Sequence, residues 1–226
     1  NPITELATKF RETVESGNWF AFEPDGHHIQ HMDRQAFYAR IVEEFSRENW
    51  KYQDSKVLAY TNNRVIEYNK AIRDQVKGDP HFQLGDYAIN NKFITSNKQS
   101  LKTDQLVCLT GISEETEVYG VRGRHYTVDY RQTFFGPASR DEWKAFVNRC
   151  KANGEFQILD RIEREWIDLR AAYAQTVNKS QGSTYDIVFI DLDDVRKCTT
   201  GNMLARLMYV AVSRARKHVF LTGDLA

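Results

Sequence analysis

The chain has 226 residues, with 31 Lys and Arg against 31 Asp and Glu, 41% hydrophobic residues and 12% aromatic residues. The apolar content excludes an intrinsically disordered chain, and the zero formal net charge excludes a simple basic clamp for nucleic acid. No apolar run approaches the roughly 20 residues of a membrane-spanning helix, so no membrane partner is predicted.

The cysteines predict the compartment of the protein. Cys108, Cys150 and Cys198 are odd in number, lie far apart and form no CxxC pair. They are therefore predicted to be reduced thiols in a cytoplasmic protein. The first residue is Asn rather than Met, which suggests a fragment or a processed product.

The first part of the chain predicts three helices and a strand. The helices begin at Asn1-Pro2, near Asp33 and at Thr61, and the first and third end at Gly17 and Gly78. The sequence KVLAY (56–60) predicts a short buried strand. A strand, a polar turn and a helix in succession are typical of a parallel α/β sheet.

The middle of the chain, from about 85 to 135, predicts an antiparallel sheet or a small barrel. Its short strand-like segments are DYAI, QLVCLTGI, TEVYGVR and HYTVDY. Ser139–Glu142 forms a capping box for a helix that ends at Asn153-Gly154. The sequence FQIL (156–159) predicts a further β segment.

The α/β pattern returns from about Ala171. The nearly continuous apolar segment YDIVFIDL (185–192) predicts a strand that is covered on both faces. A helix with Met203, Leu207, Val210 and Ala211 on its apolar face follows, and the strand HVFLTG comes near the end. The sequence therefore predicts an α/β domain interrupted by a β-rich insertion.

Two polar segments could carry phosphate chemistry. Residues 176–184 (TVNKSQGST) predict a tight turn that presents donors to phosphate oxygens, or else a plain surface loop. Residues 209–218 (YVAVSRARKH) predict a helix that ends in cations, which its dipole alone would favour. Alternatively, one of these arginines is offered to a nucleotide phosphate.

These segments, in this order, resemble motifs V and VI of superfamily 1 helicases. TVNKSQGSTYDIVFIDL resembles the segment T-x-H-K-x-Q-G-x-x and its strand, and LMYVAVSRARKHVFL resembles Y-V-A-x-[ST]-R-A-[RK]. KVLAYTNNRVIEYN resembles the motif IV region, and the insertion resembles that of the Dda and RecD branch. The resemblance implies a RecA-like parallel sheet flanked by helices (1–84 and 166–226), interrupted by a small β-barrel-like insertion with one helix (85–165).

The resemblance also implies site residues. Arg214 matches the arginine finger, and Gln181 and Gly182 match the turn beside the γ-phosphate of ATP. Asn178 replaces the usual His, and Thr184 stands where many relatives have Glu. The positions that match single-stranded DNA contacts are Thr61, Asn62, Thr176 and Asn178.

The phosphate-binding motif G-x-x-x-x-G-K-[ST] is missing from the sequence. The segment 187–194 (IVFIDLDD) superficially resembles a Walker B strand, and we interpret it as the motif V strand. The resemblance therefore covers only the C-terminal half of an ATP-dependent DNA helicase. It implies that an N-terminal P-loop domain holds ATP and Mg²⁺, that this chain alone is inactive, and that replication or recombination proteins of a bacterial or phage-infected cell are its partners.

Other functions remain open from the sequence. The chain could be a non-catalytic nucleic-acid-binding or interaction module with a degenerate helicase fold. His27, His28 and His31 could form a metal site, because either His27 or His28 can share a helix face with His31. Asp191, Asp193 and Asp194 could bind Mg²⁺ in a nuclease. Aromatic residues of the insertion either build its core or stack on bases beside arginines: Tyr119, Tyr126, Tyr130, Phe134 and Phe135, interleaved with Arg122, Arg124 and Arg131.

Overall fold

A computed structural model describes residues 1–79, 81–96 and 99–225. The chain divides into two compact units, and elements are numbered along the whole chain. The first unit combines Asn1–Pro80 with Tyr173–Ala226, and the second is His81–Ala172. The sequence analysis placed these boundaries after residues 84 and 165. Within the described part of the chain, no helix is both long and apolar enough to cross a membrane.

The first unit contains a parallel sheet flanked by helices. Its strands are β1 (Ile29–His31), β2 (Ser55–Ala59), β11 (Ala174–Thr176), β12 (Tyr185–Asp191) and β13 (Ala215–Thr222), in the spatial order β1-β13-β12-β2-β11. Its helices are α1 (Pro2–Ser16), α2 (Arg34–Phe45), α3 (Asn62–Lys77), the short α6 (Leu192–Val195) and α7 (Gly201–Val212). Every strand pair in this sheet is parallel.

The predicted helix ends are confirmed, because local side-chain hydrogen bonds define them. The side chains of Asn1, Asp33 and Thr61 accept hydrogen bonds from backbone N–H groups in the first turns of α1, α2 and α3. Gly17 and Gly78 end α1 and α3 in the left-handed conformation, which glycine adopts without steric cost.

Strand β12 contributes to the packing on both faces of this sheet. Val188 and Ile190 belong to a core that also includes buried residues of α1 and α7. Phe189, between them, contacts Phe37 of α2 with ring centroids 5.7 Å apart. Successive side chains of a strand point to opposite faces, so two apolar faces produce the continuous apolar sequence.

The second unit is an antiparallel sheet with two helices. Its strands are β3 (Tyr87–Asn90), β4 (Ile94–Ser96), β5 (Gln99–Leu101), β6 (Gln105–Ile112), β7 (Thr116–Val118), β8 (Val121–Val128), β9 (Gln132–Pro137) and β10 (Leu169–Ala171). The main sheet has the order β10-β3-β6-β8-β7, with β9 paired to β8, and β4 pairs with β5. The helices are α4 (Arg140–Asn153) and α5 (Phe156–Glu165). The predicted fold class, a parallel α/β sheet interrupted by a β-rich insertion, is confirmed.

Two predicted strands of the insertion contain turn residues: a turn interrupts the first, and the second ends in one. Tyr119 and Gly120 have φ angles of 55° and 78° and form the turn between β7 and β8, within the segment TEVYGVR. Asp129 and Tyr130, at the end of HYTVDY, have φ angles of 51° and 59° and form the turn between β8 and β9. Tyrosine is uncommon at positive φ, so composition did not reveal these turns.

The prediction of a β segment at FQIL is wrong, because these residues begin helix α5. Ile158, Leu159 and Ile162 have the spacing of one helical face, and they join the core around Trp166. A segment of four residues is too short for its apolar pattern to distinguish a strand from the first turn of a helix.

The buried face of α7 differs from the predicted one. Leu204, Leu207, Met208 and Ala211 are buried, whereas Met203 is 46% exposed. The buried residues follow the spacing i, i+3, i+4 and i+7. Leu207 and Ala211 are buried as predicted, whereas Leu204 and Met208 complete the buried face in place of Met203 and the half-buried Val210.

The two methionines of α7 provide a test of this face. We expect Met208→Ala to lower the free energy of unfolding by about 2–5 kcal/mol, because the side chain is buried and leaves a cavity. Met203→Ala, on the exposed side of the same helix, should change it by less than about 0.5 kcal/mol. Urea denaturation of both variants measures the difference, and equal losses would contradict the assignment.

Candidate nucleotide and nucleic-acid sites

The parallel sheet places the predicted site residues at two opposite edges. Thr176 ends β11, and Thr61 and Asn62 follow the end of β2, so these residues belong to the carboxyl edge. Arg214 directly precedes β13 and therefore belongs to the amino edge. A strand rises about 3.3 Å per residue, so the seven residues of β12 separate the edges by about 20 Å.

The segment 177–184 connects these two edges. It leaves the carboxyl end of β11 and enters the amino end of β12, passing through a short 3₁₀ helix, Asn178–Ser180. The Oγ of Ser180 donates to the carbonyl of Val177 at 2.6 Å, and Ser180 is fully buried. The motif V segment therefore runs physically from the predicted DNA contacts to the predicted nucleotide contacts.

At the carboxyl edge, β2 and β11 end side by side. Thr176 is paired with Ala59, and the N–H of Val177 donates to the carbonyl of Ala59 at 2.9 Å. Thr176 is buried, and its Oγ1 accepts from the N–H of Lys179 at 3.3 Å. Asn178 is exposed. Of these two predicted DNA contacts, Asn178 is presented to solvent while Thr176 shapes the turn.

Thr61 is held by a carboxylate that the sequence analysis assigned to a different role. Asp194 accepts from the N–H of Tyr60 at 2.8 Å, and from the N–H and Oγ1 of Thr61 at 2.7 and 2.9 Å. The Nζ of Lys197 also donates to the Oδ1 of Asp194, at 2.7 Å. Both donors of Thr61 are thus directed to Asp194, whereas Asn62 is exposed next to it.

A second buried carboxylate lies at the end of β12. Asp191 is fully buried and accepts from the Nε of Arg64 at 2.7 Å and from the hydroxyl of Tyr68 at 2.8 Å. Arg34 donates to Asp191 at 3.3 Å and to Asp193 at 2.6 Å. The starts of α2 and α3 are therefore joined to the end of β12 through one ion-pair network.

The aspartates do not form a metal site in this structure. Arginine, lysine, tyrosine and threonine donors engage Asp191, Asp193 and Asp194, as given above. In residues 1–79, 81–96 and 99–225, no group of three or more His, Cys, Asp or Glu side chains is arranged to hold a metal ion. The geometry gives no support to the nuclease hypothesis.

Neither His27 nor His28 shares a helix face with His31, contrary to that prediction. His31 lies in β1 and its Nε2 is 2.7 Å from the carbonyl oxygen of Gly223. His27 and His28 precede β1, with their Nδ1 atoms 3.2 Å apart. Residues 26–28 form a bend, with Gly26 at φ of 71°, and lead directly into β1 rather than into a helix.

At the amino edge, Arg214 is anchored but retains free donors. Its Nε donates to the carbonyl of Val210 at 3.0 Å, its Nη1 to the carbonyl of Ser183 at 3.1 Å, and its Nη2 to the Oγ of Ser213 at 2.9 Å. A guanidinium has five N–H donors. Two of them therefore have no partner within the described part of the chain.

The sequence predicts that α7 ends in the cations Arg214, Arg216 and Lys217. This prediction is wrong for Arg216 and Lys217. Helix α7 ends at Val212, and Arg216 and Lys217 lie in β13. Both cations pair with Asp186 at 2.7 Å. The pKa of Asp186 is lowered, with the hydrogen bond from Lys217 as the largest cause. Of these three cations, Arg214 is the one whose guanidinium donates to a carbonyl in the last turn of α7, that of Val210.

Gln181 and Gly182 lie next to Ser183, which contacts Arg214. Both are exposed. Gly182 has φ of 89°, and a side chain there would meet no atom within 4 Å. The backbone conformation, rather than lack of space, therefore favours glycine at this turn. The structure thus brings Arg214 and the Gln181–Ser183 turn together, and it separates them from Thr61 and Asn62.

Asp194 is a residue whose site role was missed, because its partners Tyr60 and Thr61 are far away in sequence. Burial by itself raises the pKa of Asp194, but hydrogen bonds from Lys197, Thr61 and Tyr60 outweigh it, and the net pKa is lowered. The folded state therefore favours the ionised form more than the unfolded state does.

Asp194→Asn tests this anchor. A carboxylate whose pKa is lowered on folding stabilises the protein above its unfolded pKa of about 3.9, and this contribution is lost as pH falls through the lower folded value. We expect the variant to be less stable than the wild type by about 2–3 kcal/mol at pH 7, with the difference narrowing below about pH 4.

Urea denaturation between pH 3 and pH 7 measures this difference. Asp160→Asn removes one partner of an exposed ion pair with Arg164 and serves as the control, with little effect at any pH. A constant difference between Asp194→Asn and the wild type at every pH would contradict the assignment.

Comparison with known proteins identifies part of the chain. Residues 171–222 match the family model of the UvrD-like helicase C-terminal domain. No curated protein matches the chain. Among solved structures, it is similar to Pif1 helicase from Bacteroides in complex with ADP-AlF3 and ssDNA, at 12% identity and a TM-score of 0.46, covering 99% of this chain and 49% of that one.

Pif1 helicase from Candida albicans is also similar, at 16% identity and a TM-score of 0.45, covering 97% of this chain and 53% of that one. The chain therefore spans about half the length of these solved helicases. The family match includes the Gln181–Ser183 turn and Arg214, the residues on which the resemblance rested. Residues 171–222 therefore carry a sequence similar to the UvrD-like helicase C-terminal domain, which confirms the helicase resemblance for the segment that contains motifs V and VI.

Proposed function

We propose that this chain is the C-terminal motor half of an ATP-dependent DNA helicase of the Dda/RecD type. The observation that carries the proposal is the contact between Arg214 and Ser183, which joins motif VI to motif V at one edge of the sheet. The family match to residues 171–222 supports the same assignment. ATP and Mg²⁺ would be held mainly by an N-terminal P-loop domain, because the sequence lacks that motif.

In this proposal, Arg214 supplies the arginine finger. Its three hydrogen bonds fix the guanidinium against α7 and the motif V turn, while two N–H donors remain for phosphate oxygens. A guanidinium is always charged and can bind phosphate in a bidentate manner. Anchoring before the reaction lowers the reorganisation needed when charge develops on the transferred phosphoryl group.

The carboxyl edge would hold single-stranded DNA through Asn62 and Asn178. Both side chains are exposed, and the strands that precede them are directly paired. Thr61 and Thr176, the other predicted contacts, contribute by shaping the turns from which these amides project. Neutral amides hold DNA without a strong field, which suits a motor that must release its strand at every step.

The segment 177–184 would couple the two activities. It begins at the paired ends of β2 and β11 and ends at the turn that contacts Arg214. With Ser180 buried and bonded at its centre, the segment cannot move at one end without displacing a packed residue. Closure around ATP would therefore shift the DNA contacts.

Replacement of Arg214 tests the nucleotide role. In the full-length protein with its P-loop domain, we expect Arg214→Ala to reduce the kcat of DNA-stimulated ATP hydrolysis by about 10³-fold, with little change in ATP affinity. Arg214→Lys should restore little of this rate, because an ammonium group cannot bind in a bidentate manner.

Arg206→Ala is the control, because Arg206 is an exposed arginine of the same α7 helix. An unchanged kcat in Arg214→Ala would remove Arg214 from this role and favour a non-catalytic nucleic-acid-binding or interaction module. The thermal midpoint is measured in parallel, because Arg214 also bonds Ser183.

The double variant Asn62→Ala/Asn178→Ala tests the DNA role. We expect its affinity for labelled oligo-dT, measured by fluorescence anisotropy, to fall about ten-fold. The salt dependence of binding should not change, because neutral amides release no counterions from DNA. Asn49→Ala, an exposed asparagine in the loop before β2, is the control. Equal affinities of the double variant and the control would contradict the proposed DNA contacts.

A further inference from the structure

The structure separates the aromatic residues of the second unit into buried and exposed rings. Phe134 and Phe135 are 3% and 5% exposed and belong to its cores. Tyr126 is half-buried, and Tyr119 stacks on Trp166 with ring centroids 6.4 Å apart. Tyr130 is 87% exposed at the tip of the β8–β9 hairpin. Tyr119, which packs against Trp166, is 41% exposed, so Tyr130 is the most exposed of the five rings.

The arginines interleaved with these rings are separated in the same way. Arg122 forms an ion pair with Glu142, and the Nη1 of Arg124 donates to the carbonyl of Ser113 at 3.0 Å. Arg131, next to Tyr130, is exposed and has no side-chain partner within the described part of the chain. The free guanidinium and the free ring are therefore neighbours at one hairpin tip.

The backbone of this tip is firmly held in an unfavourable conformation. Asp129 and Tyr130 have φ angles of 51° and 59°, and the N–H of Arg131 donates to the carbonyl of Val128 at 3.0 Å, closing the turn. Glycine or asparagine fits such a turn better than tyrosine does. Folding alone would therefore not favour tyrosine at position 130, and such strain directs attention to function.

Strand β6 anchors the turn and leaves the ring free. Cys108 donates its N–H to the carboxylate of Asp129 at 2.9 Å and accepts the N–H of Asp129 at 2.9 Å. The Oγ1 of Thr110 accepts the N–H of Tyr130 at 2.8 Å. The carboxylate of Asp129 thus bonds the backbone of β6 and forms no ion pair with Arg131 within the described part of the chain.

We propose that Tyr130 stacks on an unpaired base of single-stranded nucleic acid, while Arg131 pairs with an adjacent phosphate. An exposed ring on a rigid turn offers a π-face to any base, and the free guanidinium complements the backbone charge. The inference rests on the proposed function for its class of partner, single-stranded DNA. It assigns the second unit a contact of its own, separate from Asn62 and Asn178.

Substitution of Tyr130 separates binding from folding. With the 226-residue chain and labelled oligo-dT, we expect Tyr130→Gly to bind about ten-fold more weakly while its thermal midpoint stays the same or rises, because glycine adopts positive φ without cost. Tyr130→Phe should bind within about two-fold of the wild type, because it keeps the ring. Arg131→Gln should lower the salt slope of binding by about 0.7, the value for one phosphate contact on a single strand.

A spectroscopic signal and a matched control complete the experiment. An oligonucleotide with 2-aminopurine should lose fluorescence on binding the wild type and Tyr130→Phe, and lose less on binding Tyr130→Gly. Phe156→Ala removes another exposed ring of the same unit, 65% exposed, and should leave affinity unchanged.

Each outcome discriminates between the proposals. If Tyr130→Gly binds oligo-dT as tightly as the wild type while Asn62→Ala/Asn178→Ala binds weakly, the tip contact is wrong and the proposed function stands. If the wild type does not bind oligo-dT, both are contradicted. A fall in the thermal midpoint of Tyr130→Gly would assign the ring to folding and overturn the inference.

Discussion

Strand β12 lies between β13 and β2 in a parallel sheet with apolar helices on both faces, and the positions of both candidate sites depend on this arrangement. A parallel strand must be entered at one edge and left at the other. The chain therefore reaches β12 through the motif V segment at the amino edge and leaves it through Asp191 at the carboxyl edge. The residues proposed to bind nucleotide and those proposed to bind DNA are therefore separated by about the length of one strand.

Buried carboxylates at the end of β12 hold the carboxyl edge in place. Asp191 joins Arg34 and Arg64, and Asp194 joins the backbone that leads into α3. Buried ion pairs contribute little to stability on balance, because desolvation costs about as much as the attraction returns. Their directional hydrogen bonds do define geometry, and here they set the turn from which Asn62 projects.

Local interactions explain which elements could be predicted. The caps at Asn1, Asp33 and Thr61 involve residues two or three positions apart, so the sequence displays them. The continuous apolar sequence of β12 likewise indicates that both faces of this strand are buried. FQIL was misread because its helical face is completed only by Ile162 and by packing around Trp166. The turn at Asp129 and Tyr130 was missed because long-range bonds to Cys108 and Thr110 hold it.

The sequence by itself determined the motifs, their order and the absence of a P-loop motif, because these depend on residue identity and spacing alone. It also determined that a β-rich segment interrupts an α/β domain, because the hydrophobic period changes along the chain. Tertiary structure decided how the polar groups are used. Both donors of Thr61 are directed to Asp194, 133 residues away. Hydrogen bonds between distant residues leave no local pattern, so only the folded chain shows which donors remain free for a ligand.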